Sequence, residues 1–108
     1  MDVFPLAALH ERVTRDSPYH EFLRVPDLSV GLYALEAGAV DRQQPHTEDE
    51  IYIVVEGRSR FTAGDDARDV GPGDTIFVAA GVPHRFHDIT DALRLIVVFG
   101  PAEYSRAP

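Results

Sequence analysis

Beyond residue 18, turn-forming residues interrupt this chain at short and regular intervals. YHEFLRV stops at Pro26-Asp27, LSVGLYALEA at Gly38, EIYIVVE at Gly57 and RSRFTA at Gly64-Asp65-Asp66. ARDV runs into Gly71-Pro72-Gly73-Asp74, TIFVAA into Gly81, HRFHDI into Thr90-Asp91 and LRLIVVF into Gly100-Pro101. Segments this short suit strands, and the glycine, proline and aspartate between them favour the backbone angles of turns. The pattern predicts an all-β domain, a sandwich or a barrel. Residues 5–15 (PLAALHERVTR) are the one helix candidate: Leu6, Leu9 and Val13 recur at helical spacing, and Pro5 suits a first helical position. Ser17-Pro18 ends that pattern. The chain divides into a helical segment over 1–18, a β-domain over 19–101 and a tail over 102–108. Its 108 residues fit one domain.

Side chains alternate along a strand, so each apolar run shows which faces are covered. In EIYIVVE, Glu50, Tyr52 and Val54 share one face, and Ile51, Ile53 and Val55 the other. Beyond Glu50 both faces are apolar, and LRLIVVF leaves as little for solvent. Both faces are therefore expected to be covered. A chain of this size has trouble doing that alone, so a homodimer is expected. Phe22, Phe61, Phe77, Phe86 and Phe99 read as core or pocket walls.

The formal net charge is -8. Such a surface repels phosphate backbones and anionic lipid, which argues against nucleic-acid and membrane partners. Arg24, Arg42 or Arg85 could still give an anionic small ligand local positive charge. No apolar run is long enough to span a bilayer, and MDVFPLAALHERV lacks the features of a signal peptide, so a cytoplasmic location is expected. There is no cysteine, so any metal must be held by histidine, carboxylate, amide or water.

Two clusters could hold one. In Gln44-Pro45-His46-Thr47-Glu48-Asp49-Glu50, an extended segment puts Gln44 and His46 on one face, and Glu50 opens the next run on the face of Tyr52. A turn between His46 and Glu50 would bring amide, imidazole and carboxylate together, a donor set for a hard-to-borderline divalent ion. Glu48 and Asp49 read as ordinary solvated loop residues. In Gly81-Val82-Pro83-His84-Arg85-Phe86-His87, His84 shares a face with Phe86. His87 and His10 are expected to face solvent. Either cluster alone is weak, because a histidine beside carboxylates is more often a surface residue, and His84 could be a core histidine with a backbone partner. Tyr52 is a candidate proton donor, or simply an inward aromatic.

The spacing of the two clusters resembles the cupin family. Gly38, five residues, Gln44-Pro45-His46, three residues, Glu50, six residues and Gly57 follow the first cupin motif. Gly73, five residues, Ala79-Ala80-Gly81, two residues, His84, three residues and Asp88 follow the second, with fifteen residues between the motifs. The resemblance covers roughly residues 20–101. Gln44 stands where the family has its first metal histidine, Ala79 where it has proline and Asp88 where it has asparagine.

The resemblance implies a double-stranded antiparallel β-barrel, or jelly roll, with one divalent ion held by His46, Glu50 and His84, and with Gln44 either ligating through its amide oxygen or orienting a bound water. Which of iron, manganese, zinc, nickel or copper it is stays open. It implies a small-molecule enzyme of the dioxygenase type, in which Glu50 could act as base besides ligating; Tyr52, from its inward face, is the other catalytic candidate. The alternatives are a non-catalytic metabolite-binding cupin and a metal-independent, sugar-type isomerase using His84 and Tyr52.

Overall fold

A computed structural model describes residues 1–108. A short helix α1 (Leu6–His10) precedes six strands: β1 (Tyr19–Val25), β2 (Leu28–Leu35), β3 (Asp49–Ala63), β4 (Asp66–Val70), β5 (Thr75–Val78) and β6 (His84–Gly100). All pairings are antiparallel, in the order β1-β2-β6-β3-β4, with β5 on β3. This is the all-β jelly roll that the spacing implied, although its hydrogen-bonded ladder does not close into a ring.

Two segment pairs expected as separate strands are continuous. EIYIVVE and RSRFTA form the single β3, and HRFHDI and LRLIVVF the single β6. The ladder between them survives three register shifts, from Val54 to Arg60. Gly57 sits in this stretch at φ +99, where a side chain would be strained and a Cβ would meet the Ala92 carbonyl oxygen at 2.3 Å. The glycine thus bends β3 rather than ending it. The near half of β3 pairs with β5 and with Ile96–Phe99, and the far half with β4 and with His84–His87. The sheet folds over at this bend and encloses the core.

That core contains Tyr52, Phe61, Phe86, Leu95, Val97 and Phe99. The Tyr52, Phe61 and Phe86 rings lie 4.5–5.7 Å apart in tilted or edge-on pairs, each worth about 0.5–1.5 kcal/mol beyond burial. Gly31 pairs with Glu21 across β1 and β2 and lies under the ring of Tyr19, which any Cβ there would clash with.

Three expectations are corrected. The helix spans only Leu6–His10; beyond it the Thr14 N–H donates to the Ser17 carbonyl and the Ser17 N–H to the Thr14 side-chain hydroxyl oxygen, local bonds that compete with helix. On the outer face of β3, where a second copy was expected to supply the cover, Ile51 is 37% exposed, Ile53 39%, and Phe77 beside them 63%. Phe77 is therefore no core wall, since it alternates away from the inward Val78. Glu48 is not solvated but fully buried. It accepts the backbone N–H groups of Tyr104 (2.6 Å) and Arg106 (2.9 Å) and the Thr47 hydroxyl. The segment after Gly100 is consequently a strap pinned to the domain, with Ala102 buried and the Glu103 N–H donated to Ser29 Oγ at 2.9 Å.

Candidate metal centre

Glu50 enters the interior because it is the second residue of β3 and shares the inward face of Tyr52 and Val54. His84 starts β6 on the inward side, as Phe86 does. His46 comes from the long connection between β2 and β3, whose backbone is fixed beside Gly81 by the 2.7 Å bond from the Gly81 N–H to the His46 carbonyl. All three are buried, and one ligand atom from each lies within 4.8 Å of the others. Donors around an ion held at about 2.0–2.2 Å lie at most about 4.4 Å apart, so small side-chain adjustments would close the set.

Hydrogen positions follow from what each neighbour can accept. His84 Nδ1 lies 2.8 Å from the Val82 carbonyl, which can only accept, so Nδ1 carries a hydrogen. His84 Nε2 then faces Glu50 Oε1 at 2.9 Å and the Tyr52 hydroxyl at 3.0 Å. The Tyr52 hydrogen is already committed, because it is donated to Gln43 Oε1 at 2.9 Å. Gln43 cannot turn round, because its amide N–H donates to Asp41 Oδ2 at 3.0 Å. Every neighbour of His84 Nε2 thus offers it a lone pair. Neither Glu50 oxygen has an aligned hydrogen-bond donor, and His46 Nδ1, 3.5 Å from Glu50 Oε1, has no partner.

Lone pairs converging in a dry interior repel, and a cation at their centre resolves the conflict. One such cation is a proton on His84. Burial would lower its pKa, but the contact with Glu50, the Val82 carbonyl and the charges of Glu50 and Asp41 together raise it. The other is a divalent metal ion, which needs neutral imidazole and ionised carboxylate, the donors present here. His46, Glu50 and His84 fit such an ion. Burial, then the Glu50 charge, pushes the Tyr52 pKa far up, so its hydroxyl stays protonated.

Gln44 is exposed and lines a pocket of about 230 Å³ beside His46, with Tyr19, Arg42 and Glu103 among the other lining residues. Its neighbour Gln43 is the amide that reaches the interior. His87, expected in solvent, is half-buried between the Thr62 hydroxyl and Asp88. Three residues escaped sequence reasoning. Asp41 is buried and accepts from the Tyr33 hydroxyl, Gln43 and the Phe86 N–H. Its bond to the Gln43 N–H is a local turn that Asp favours, a signal that was available. Gln43 alternates with Gln44, and nothing in the sequence says which faces in. Glu103, whose Oε2 lies 2.9 Å from His46 Nε2, is 57 positions away and left no signal.

A family profile described as the cupin domain matches residues 31–99. The chain belongs to the cupin family. This cupin is 48% identical over 104 residues to an uncharacterised protein of Streptomyces coelicolor, covering 95% of this chain and 99% of the relative. It is similar to a conserved Klebsiella pneumoniae protein with a double-stranded beta-helix domain, at TM-score 0.76 and 16% identity, covering 94% of this chain and 90% of the other. It is also similar to the DMSP lyase DddQ of Ruegeria pomeroyi, at TM-score 0.69 and 22% identity, covering 82% of this chain and 51% of the other. At those identities the two structures speak for the fold alone.

Proposed function

We propose that this cupin is a metal-dependent enzyme of the dioxygenase type, acting on a small enolic or aromatic compound. The observation that carries the metal is the buried convergence of Glu50, His46 Nδ1 and His84 Nε2 with no hydrogen to share. The ion would be held by His46, Glu50 and His84. A divalent ion supplies Lewis acidity and, where it is redox-active, a place to bring substrate and dioxygen together.

The protein's own residues do the rest. The Val82 carbonyl fixes the His84 ring, and Asp41 through Gln43 fixes the Tyr52 hydrogen. The pocket beside His46, at about 230 Å³, is below the usual range for drug-sized ligands, which favours a compact substrate. Tyr19 offers a hydroxyl without a partner there, and Arg42 a positive charge.

We also propose a homodimer in which a second copy covers Ile51, Ile53 and Phe77. These three form a continuous patch, because Phe77 and Ile51 are partners across the β3–β5 pair. Light scattering on wild type and Phe77→Glu tests this: a dimer reduced to a monomer supports it, and a wild-type monomer refutes it.

The test of function is elemental analysis of purified protein beside Glu50→Gln, then oxygen uptake by the iron-loaded protein with small enolic and aromatic compounds. Near-stoichiometric metal lost in the variant, with metal-dependent uptake, is the expected result. Metal without any turnover would replace the enzyme with a metabolite-binding module. Absence of metal after incubation with iron, manganese or zinc salts would end the metal reading.

A further inference from the structure

His46 is a site residue with two nitrogens, and the structure distinguishes them. Its Nε2 lies 2.9 Å from Glu103 Oε2, while its Nδ1 is buried, unpartnered and 3.5 Å from Glu50 Oε1. An ionised carboxylate can only accept, so Glu103 places the ring hydrogen on Nε2 and leaves a bare lone pair at Nδ1. Two aromatic neighbours hold the plane of the ring. Tyr104 stacks on it with centroids 5.3 Å apart, and Phe99 packs against it at 4.5 Å.

Glu103 is held just as firmly. Its N–H is donated to Ser29 Oγ at 2.9 Å, and its carbonyl accepts from the Arg24 guanidinium at 2.8 Å. The next residues are fixed by buried Glu48, which takes the N–H groups of Tyr104 and Arg106. The strap after β6 thus reaches His46 through two side chains, Tyr104 on the face of the ring and Glu103 at Nε2, the latter across 57 positions of sequence.

We propose that Glu103 is a positioning residue that holds the Nε2–H tautomer of His46 and so presents Nδ1 to the metal site. The proposal rests on the metal reading above and adds which nitrogen of His46 binds and what selects it. Carboxylates that accept from the far nitrogen of a ligating histidine orient the ring and raise its basicity. Removing one typically weakens metal binding about 10–100-fold.

The experiment joins two readouts. Long-range ¹H–¹⁵N spectra of the metal-free protein report the His46 tautomer, and calorimetry reports zinc affinity, for wild type, Glu103→Gln and Glu103→Ala. Wild type is expected to carry its hydrogen on Nε2. Glu103→Ala is expected to shift it toward Nδ1, where Glu50 can accept it, and to weaken zinc binding about 10–100-fold. Glu103→Gln keeps an acceptor oxygen and should fall between, with thermal unfolding of all three showing an intact fold. An unmoved tautomer in Glu103→Ala, with zinc still bound, overturns this proposal alone. Loss of zinc as complete as in Glu50→Gln also overturns it, because Glu103 would then be a ligand. A tautomer that moves as expected in a wild-type protein that binds no zinc would overturn the metal reading and leave only the hydrogen-bond half of this one.

Discussion

The two histidines of the candidate metal centre are oriented by opposite devices. His84 sits at the start of β6 and takes its tautomer from the carbonyl of Val82, two residues back. His46 sits in a connection without regular structure and takes its tautomer from Glu103, on a strap at the other end of the chain. The first device is local, built into a turn and independent of any other side chain. The second depends on a carboxylate, and on a second buried carboxylate, Glu48, that keeps the strap in place. One half of the site is thus as robust as the strand it starts, and the other half only as robust as the closure of the C-terminal strap.

Glu50 faces both halves, so its replacement has the largest expected effect. Glu50→Gln keeps the shape but removes the charge, and should weaken metal binding by more than about 100-fold, beyond the range of outer residues. At a pH high enough to leave His84 neutral, stability should move the other way. The carboxylate is buried without an aligned donor, and such groups lower the stability of the metal-free fold. Calorimetry with zinc and melting of the metal-free protein together test this. A variant that binds weakly and also melts well below wild type would contradict the picture of an uncompensated charge.

Acidity should separate the two halves next. The pKa of His84 is raised in the folded protein, so the fold holds a proton there that the unfolded chain releases at lower pH. Its contribution to metal-free stability is full below the ordinary imidazole range and is lost as pH rises through the raised value. Metal must displace that proton, so affinity should fall about tenfold for each pH unit below that raised value. Metal affinity and metal-free melting temperature should therefore run in opposite directions across that window. Melting curves with and without zinc over a pH series would show it, and parallel trends would contradict it.

The strap supplies a smaller effect of another kind. Glu48→Ala removes the carboxylate acceptor of the Tyr104 and Arg106 N–H groups, hydrogen bonds to a charged group worth about 1.5–3 kcal/mol each, and denaturant unfolding should show a loss in that range. Burial alone would raise the Glu48 pKa, yet the bonds from Thr47, Arg106 and Tyr104 lower it below the usual carboxyl range. Its stabilisation is therefore present above that range and lost as pH falls through the folded value. Metal affinity should fall with it, because Glu103 and Tyr104 leave His46 together. If unfolding moved while zinc affinity stayed at the wild-type value, the strap would be structural only.

What could be read from the sequence follows the same division. The strand boundaries, the inward faces of Glu50, Tyr52, His84 and Phe86, and the family spacing are local patterns. Local periodicity carried them, apart from the bend at Gly57, where a glycine that looks like a stop lets the ladder continue. Glu48 and Glu103 were invisible, because a carboxylate in a polar stretch looks the same whether it meets water or a distant N–H. Phe77 misled for the converse reason: an outward apolar residue on a strand reads as core until something shows which side is open.

Gln44 is the place where a motif position and a side-chain position can be told apart, with the smallest expected effect. By family spacing it stands at a metal-ligand position, and on that ground Gln44→His would tighten binding. In the fold its side chain is exposed beside the pocket, and the amide that enters the interior is that of Gln43, held by Asp41 and Tyr52. Surface substitutions of this kind usually change a free energy by no more than about 0.5 kcal/mol. Gln44→His should accordingly change zinc affinity by less than about threefold. Gln43→Ala, by contrast, frees the Tyr52 hydrogen to point at His84 Nε2, where it would occupy the lone pair that the metal needs. If Gln44→His instead tightened binding tenfold or more, the connection carrying residues 41–46 would have to turn a ligand inward, and the motif would have described the metal-bound arrangement better than the exposed position does.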